Sequence, residues 1–208
     1  MKVPNMVHLG DVPHWVDAPA RWRTPIDSAR EKRGGKEEKM SEHNGGALSS
    51  AEHLPPGEGR ALWFFTDLYI AKRVSEDTGG AFTLFEVTSP PQSPPAPHMH
   101  HREDETYYIL EGEFEFLDED RTFTAGAGSL VHLPKDRLHS HRNPGDVPAK
   151  AVVLYTPAGN IEKFVEDAGK PATDPSTVPP PPEEAEIERL VTIAVEKYGF
   201  EVPPPPPG

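Results

Sequence analysis

Residues 97–112 read PHMHHREDETYYILEG, a run dense in side chains that bind metals or move protons. His98 and His100 are two apart, so on an extended strand their imidazoles point to the same face. Glu105 lies an odd number of residues beyond His100. On one continuous strand it would face the other way, roughly 16 Å further along. It can join the histidines only if His101–Asp104 makes a reversal and Glu105 opens the next strand. That polar, charged tetrad suits a turn. A third imidazole must come from elsewhere, and His139, on the strand-like stretch Leu138–Arg142, is the best candidate. Imidazole nitrogen and carboxylate oxygen with open positions form the ligand set of non-haem iron, nickel, manganese and their neighbours.

The surroundings of this run predict β-structure. Ala61–Ile70 and Ala81–Thr88 are β-branched and aromatic runs, and Thr106–Leu110 and Glu113–Leu117 follow. In the last of these, Glu113, Phe114, Glu115 and Phe116 alternate, the pattern of a half-buried strand with its phenylalanines on one face. Asp118-Glu119-Asp120 is a turn, with Arg121–Thr124 as the returning hairpin strand, and Ser129–Leu133, Leu138–Arg142 and Lys150–Thr156 complete the set. Short strands at this spacing, with Gly, Pro and Asp turns and no helical pattern between them, imply an antiparallel sandwich or barrel.

Composition narrows the function classes. The chain has 208 residues, 35% of them hydrophobic, with 26 prolines and 17 glycines, so part of it is expected to be linker or tail. A formal net charge of −13 argues against nucleic acid and against anionic membrane surfaces as partners. There is no cysteine, which excludes disulfides, thiolate catalysis and iron–sulfur clusters and leaves nitrogen and oxygen to hold any metal. The first residues, MKVPNMVHLGDVPHW, lack the apolar stretch of a secretory signal, and no segment has the length and apolarity of a membrane span. A cytoplasmic protein is expected.

Residues 1–60 are expected to be an irregular extension. Ser28–Ser50 is almost free of large apolar residues and cannot offset its own ordering entropy. The islands His14-Trp15-Val16 and Ala20-Arg21-Trp22 read equally well as docking points and as stray aromatics. Lys36-Glu37-Glu38-Lys39-Met40 can be encoded by AAG GAG GAG AAG ATG, a purine-rich ribosome-binding sequence just ahead of a start codon. We therefore hypothesise, for a bacterial source, that translation starts at Met40 and that residues 1–39 are a mis-called extension; peptides mapping before Met40 in the native protein would refute it. His8, His14, His43 and His53 in this region are expected in solvent.

Residues 158–200 are expected to be helical. Asn160–Ala168 has Asn160 as its cap and Gly169 as its stop. In Glu183–Tyr198 the residues Ile187, Leu190, Val191, Ala194, Val195 and Tyr198 form an apolar stripe, and Gly199 closes the helix. The stripe is expected to pack on the barrel, with docking on a second subunit the lesser alternative. Residues 201–208 read as a Pro-rich tail.

Two linked motifs resemble the cupin superfamily. The first is His98-x-His100-x4-Glu105-x6-Gly112. The second, in residues 128–143, is Gly128-x5-Pro134-x-Asp136-x2-His139-x3-Asn143. The chain departs from the family pattern twice. Asp136 stands where glycine is usual, a change Asp tolerates because it accepts turn conformations. Gln92 replaces the glycine six residues before the first histidine. The resemblance covers residues 61–157. It implies an all-β cupin double-stranded β-helix, a jelly-roll barrel, with His98, His100, Glu105 and His139 as ligands of one divalent transition metal in its mouth and Gly112 in a turn. The metal is nickel, manganese, iron, cobalt, copper or zinc.

Within the superfamily, residues 76–87, 94–116 and 138–145 look most like small bacterial single-domain cupins called quercetinase-like. That resemblance implies a dioxygenase whose partners are molecular oxygen and a flavonol-like or other enol small molecule, with Glu105 accepting the substrate's proton. A non-oxidative isomerase, lyase or cyclase and a non-catalytic small-molecule sensor are the alternatives. A homodimer is expected.

For the pocket, Tyr107 shares parity with Glu105, although a barrel-filling aromatic is the stronger reading. His141 shares parity with His139 and reads equally as cavity lining or as a buried hydrogen-bonded group. Phe116, with Phe114, reads as core or pocket wall. His101 is expected in solvent, and His132 has no evident partner.

Overall fold

The computed structural model describes residues 50–204. The islands at 14–16 and 20–22, the Met40 start, and His8, His14 and His43 lie outside them. Among the described residues ten strands form two sheets: β1 (Arg60–Phe64), β2 (Asp67–Arg73), β3 (Thr83–Ser89), β4 (Asp104–Glu111), β5 (Glu113–Asp118), β6 (Arg121–Gly126), β7 (Leu130–Leu133), β8 (His139–Arg142), β9 (Ala149–Thr156) and β10 (Lys170–Pro171). The larger sheet has the order β10-β1-β2-β3-β9-β4-β7, and the smaller has β6-β5-β8. Single bridges continue the smaller sheet past β8, from His98 to His139 and from Met99 to Glu201. The expected double-stranded β-helix is the fold observed.

Alternation decides which side chains fill the space between the sheets. Along β5 the phenylalanines face inward, and Phe114 and Phe116 are fully buried with Tyr107 and Ile109 of β4 and Val153 of β9. Tyr107 packs edge-on against Phe116, ring centroids 5.1 Å apart. Burying each such side chain is worth about 1.5–3 kcal/mol. Gly112 makes the β4–β5 turn at φ +70°, where a Cβ would stand 2.9 Å from the Ala149 Cα. The two positions that depart from the cupin pattern also take left-handed backbone, Asp136 at φ 61° and Gln92 at φ 54°.

Four local expectations are corrected. Ala61–Ile70 is not one run: it folds into the β1–β2 hairpin, turning at Phe65 with φ 52°. No Gly, Pro or Asn marks that turn. Asn160 precedes helix α2 (Ile161–Ala168) but makes no side-chain cap bond; Glu162 receives the Gly159 N–H instead, at 3.0 Å. The last helix runs Glu184–Thr192 (α3; the four-residue α2-preceding turn Ser75–Thr78 is α1) and continues as a wider π-turn through Ile193–Lys197. It buries Leu190, Ala194 and Tyr198, while Ile187 and Val195 stay exposed. Finally, chain pairing reaches into the expected tail, because Glu201 exchanges backbone hydrogen bonds with Met99 at 2.8 and 3.1 Å.

Candidate metal centre

Three stretches of backbone bring the site together. The loop ahead of β4 carries His98 and His100, β4 carries Glu105 near its start, and β8 opens with His139. The His98–His139 bridge, with backbone hydrogen bonds of 2.9 Å both ways, sets two of the imidazoles side by side. The reversal expected over His101–Asp104 is present and lets Glu105 turn inward. One ligand atom from each of His98, His100, Glu105 and His139 lies within 4.8 Å of the other three. His98 is partly exposed and the other three are buried.

The hydrogen bonds fix which nitrogen faces the centre. His98 Nδ1 donates to the Ala96 carbonyl at 2.8 Å, and His139 Nδ1 donates to the Arg137 carbonyl at 2.9 Å. A carbonyl only accepts, so both Nδ1 atoms carry the proton. His100 Nδ1 donates to the Glu103 carboxylate at 3.1 Å. The three Nε2 atoms therefore present lone pairs inward. His98 and His100 Nε2 are 2.9 Å apart, and Glu105 Oε2 is 3.1 Å from His139 Nε2 and 3.7 Å from His100 Nε2. Four acceptors converge, and a cation is the occupant this electrostatics favours.

Burial and then the neighbouring imidazoles hold His98 well below its usual pKa, keeping it in the neutral form that ligates. Burial opposes ionisation of Glu105, but whenever His139 or His100 takes up a second proton, the hydrogen bond from His139 and the charge on these two rings hold its carboxyl well below the usual range. Tyr155 donates its hydroxyl to Glu105 Oε1 at 2.7 Å. Burial and the Glu105 charge push that phenol up, so it stays protonated.

The three expected pocket residues fare differently. Tyr107 and Phe116 are fully buried and fill the barrel. The His141 side chain keeps 15% of its surface and lies 3.2 Å from Asp67 Oδ2, with Tyr107 Oη 2.8 Å from its Nδ1. His101 is exposed and bonds Asp136 at 2.7 Å. His132 does have a partner, Thr106, at 2.9 Å. Sequence reasoning missed Glu103, Tyr155 and Asn160. Parity on β9 offered one signal, since Tyr155 stands opposite Glu105.

Residues 85–155 match the cupin domain family model. The chain carries a cupin domain. Its relatives include quercetin 2,3-dioxygenase of Bacillus subtilis, 26% identical over 146 residues, which are 70% of this chain and 42% of that protein. The alginate biosynthesis protein AlgA of Pseudomonas putida is 26% identical over 103 residues, 48% of this chain and 21% of AlgA. The chain thus spans less than half the length of either relative. Among solved structures, a predicted oxalate decarboxylase from Thermotoga maritima aligns with 50% of this chain and 98% of its own, at 21% identity and a TM-score of 0.47. Among the described residues, no helix is long and apolar enough to cross a membrane.

Proposed function

We propose that this protein is a metal-dependent dioxygenase that ionises the hydroxyl of a flavonol-like or other enol small molecule and delivers it to molecular oxygen. The observation that carries the metal dependence is the convergence of three Nε2 lone pairs on Glu105 Oε2, each Nδ1 proton being committed elsewhere. His98, His100, Glu105 and His139 would hold a divalent transition metal, which would supply a Lewis-acid position able to lower the pKa of a bound hydroxyl. The choice of dioxygenase is supported by the Bacillus subtilis relative, which covers most of this chain.

The chain's own groups divide the remaining work. Glu105 accepts the substrate proton, either while it holds the metal or after shifting off it, and the protonated Tyr155 hydroxyl holds its Oε1. His98 is the one member of the four with exposed surface, so substrate approaches past its ring. Phe200, its ring centroid 4.6 Å from that of His100, screens the other side from water.

Elemental analysis of the purified protein, followed by an oxygen-electrode screen of flavonols and related enols, tests this reading. About one transition metal per chain and oxygen uptake that stops on chelation are expected. Turnover that persists without oxygen would replace the reading with an isomerase, lyase or cyclase. Tight ligand binding with no turnover under any metal loading would make the protein a small-molecule sensor.

A further inference from the structure

One side chain of the charged reversal is not solvated. Glu103 is 1% exposed, although the tetrad around it reads as a surface turn. Its Oε1 accepts the His100 Nδ1 proton at 3.1 Å, and both its oxygens lie 3.4 Å from the Asn160 amide nitrogen. Asn160 is fixed in turn: its amide also reaches the Tyr198 carbonyl at 3.2 Å, and its Oδ1 accepts from Arg102 at 3.2 Å. Two residues after Tyr198, the Phe200 ring packs against the His100 ring at a tilt of 59°, centroids 4.6 Å apart. His100 is therefore held at Nδ1 by a carboxylate and flanked by an aromatic ring.

His98 and His139 are oriented by backbone carbonyls two residues before them, those of Ala96 and Arg137. His100 alone of the three leans on an ionisable side chain. A buried carboxylate is costly unless its partners make up the lost hydration. Glu103 has only one imidazole N–H and one amide to do so, both at ordinary or long distance. A purely structural turn would be served as well by a neutral residue.

We infer that Glu103 is a positioning residue of the metal centre, resting on the metal reading above. It fixes the tautomer and orientation of His100 and strengthens its Nε2 as a donor. Through Asn160 it makes that orientation depend on the C-terminal segment.

The test uses the full chain and cobalt(II). Glu103→Gln keeps the shape but removes the charge, and Asn160→Ala removes the outer support while leaving Glu103 and His100 in place. Competition with a chromophoric chelator is expected to show roughly 10–100-fold weaker cobalt binding in Glu103→Gln, with a changed d–d spectrum, and a smaller loss in Asn160→Ala. In the metal-free protein, ¹⁵N resonances of the His100 ring are expected to show Nδ1–H in the wild type and a mixed tautomer in Glu103→Gln. Folded variants whose cobalt affinity, spectrum and His100 tautomer match the wild type would overturn the inference. If Glu103→Gln does not fold, Asn160→Ala decides by the same readouts. A wild type that binds no cobalt would strike the metal reading instead, and the tautomer measurement would still decide whether Glu103 orients His100.

Discussion

His139 and His141 sit two residues apart on the same face of β8 and end in opposite electrical surroundings. Each has a carboxylate and a tyrosine hydroxyl nearby: Glu105 and Tyr155 for His139, Asp67 and Tyr107 for His141. Around His141 donors and acceptors match. Its Nε2–H donates to Asp67 at 3.2 Å, its Nδ1 meets the Tyr107 hydroxyl at 2.8 Å, and Ser89 donates to the same Asp67 oxygen at 2.7 Å. Burial opposes charge on His141, but Asp67 overrides it and holds the imidazole above its usual pKa. Around His139 the acceptors are in excess, because its Nδ1 proton is already given to the backbone. A buried imidazole is therefore a ligand candidate by what faces its second nitrogen, not by burial or by parity along the strand.

The sharpest way to break this contrast is His139→Ala. Cobalt or zinc stoichiometry, measured by elemental analysis, is expected to fall to background. The affinity loss should exceed the roughly 10–100-fold that removal of an outer partner costs. The metal-free variant should be at least as resistant to denaturant as the wild type, since one of four converging acceptors is gone. Retained full stoichiometry would mean that the four side chains do not share an ion. Glu105→Gln comes next. On the proposed dioxygenase reading, and compared at equal metal content because Glu105 is also one of the four converging groups, steady-state oxygen uptake is expected to drop about 10²–10⁴-fold through loss of the proton acceptor, with substrate binding affected less.

Much of this centre was legible before any coordinates. The two-residue spacing of His98 and His100 and the odd spacing to Glu105 demand a reversal, and the structure has one. Alternation likewise gave the inward phenylalanines of β5. Other features were hidden for a shared reason: a distant partner decides them. Glu103 looks like part of a solvated turn, and its burial depends on Asn160, 57 residues away. Asn160 reads as a helix cap because local sequence offers its side chain only the first turn of α2. The barrel offers a buried carboxylate, which wins. The β1–β2 turn is hidden differently, since Phe65 takes a left-handed conformation that aromatic residues rarely choose, imposed by the pairing of Phe64 with Asp67.

The other half of the contrast predicts stability effects without metal effects. Asp67→Asn swaps the acceptor shared by His141 and Ser89 for a neutral amide and is expected to lower unfolding stability by about 1–3 kcal/mol, read from the denaturant midpoint, at unchanged metal stoichiometry. A loss of metal in that folded variant would show that the two networks are coupled.

Tyr107→Phe should have the smallest effect. The ring that packs against Phe116 stays, and only the hydroxyl facing His141 Nδ1 is lost. His141 keeps its Asp67 bond, so the expected cost is one ordinary hydrogen bond, about 0.5–1.5 kcal/mol. Because Tyr107 is fully buried, no solvent can replace the missing hydroxyl, which places the value toward the upper end of that range. On the proposed dioxygenase reading oxygen uptake should be unchanged, since that reading gives the substrate proton to Glu105, whose Oε1 is bonded by the Tyr155 hydroxyl. A large loss of turnover at near-native stability would show that Tyr107 belongs to the reacting end of the barrel after all.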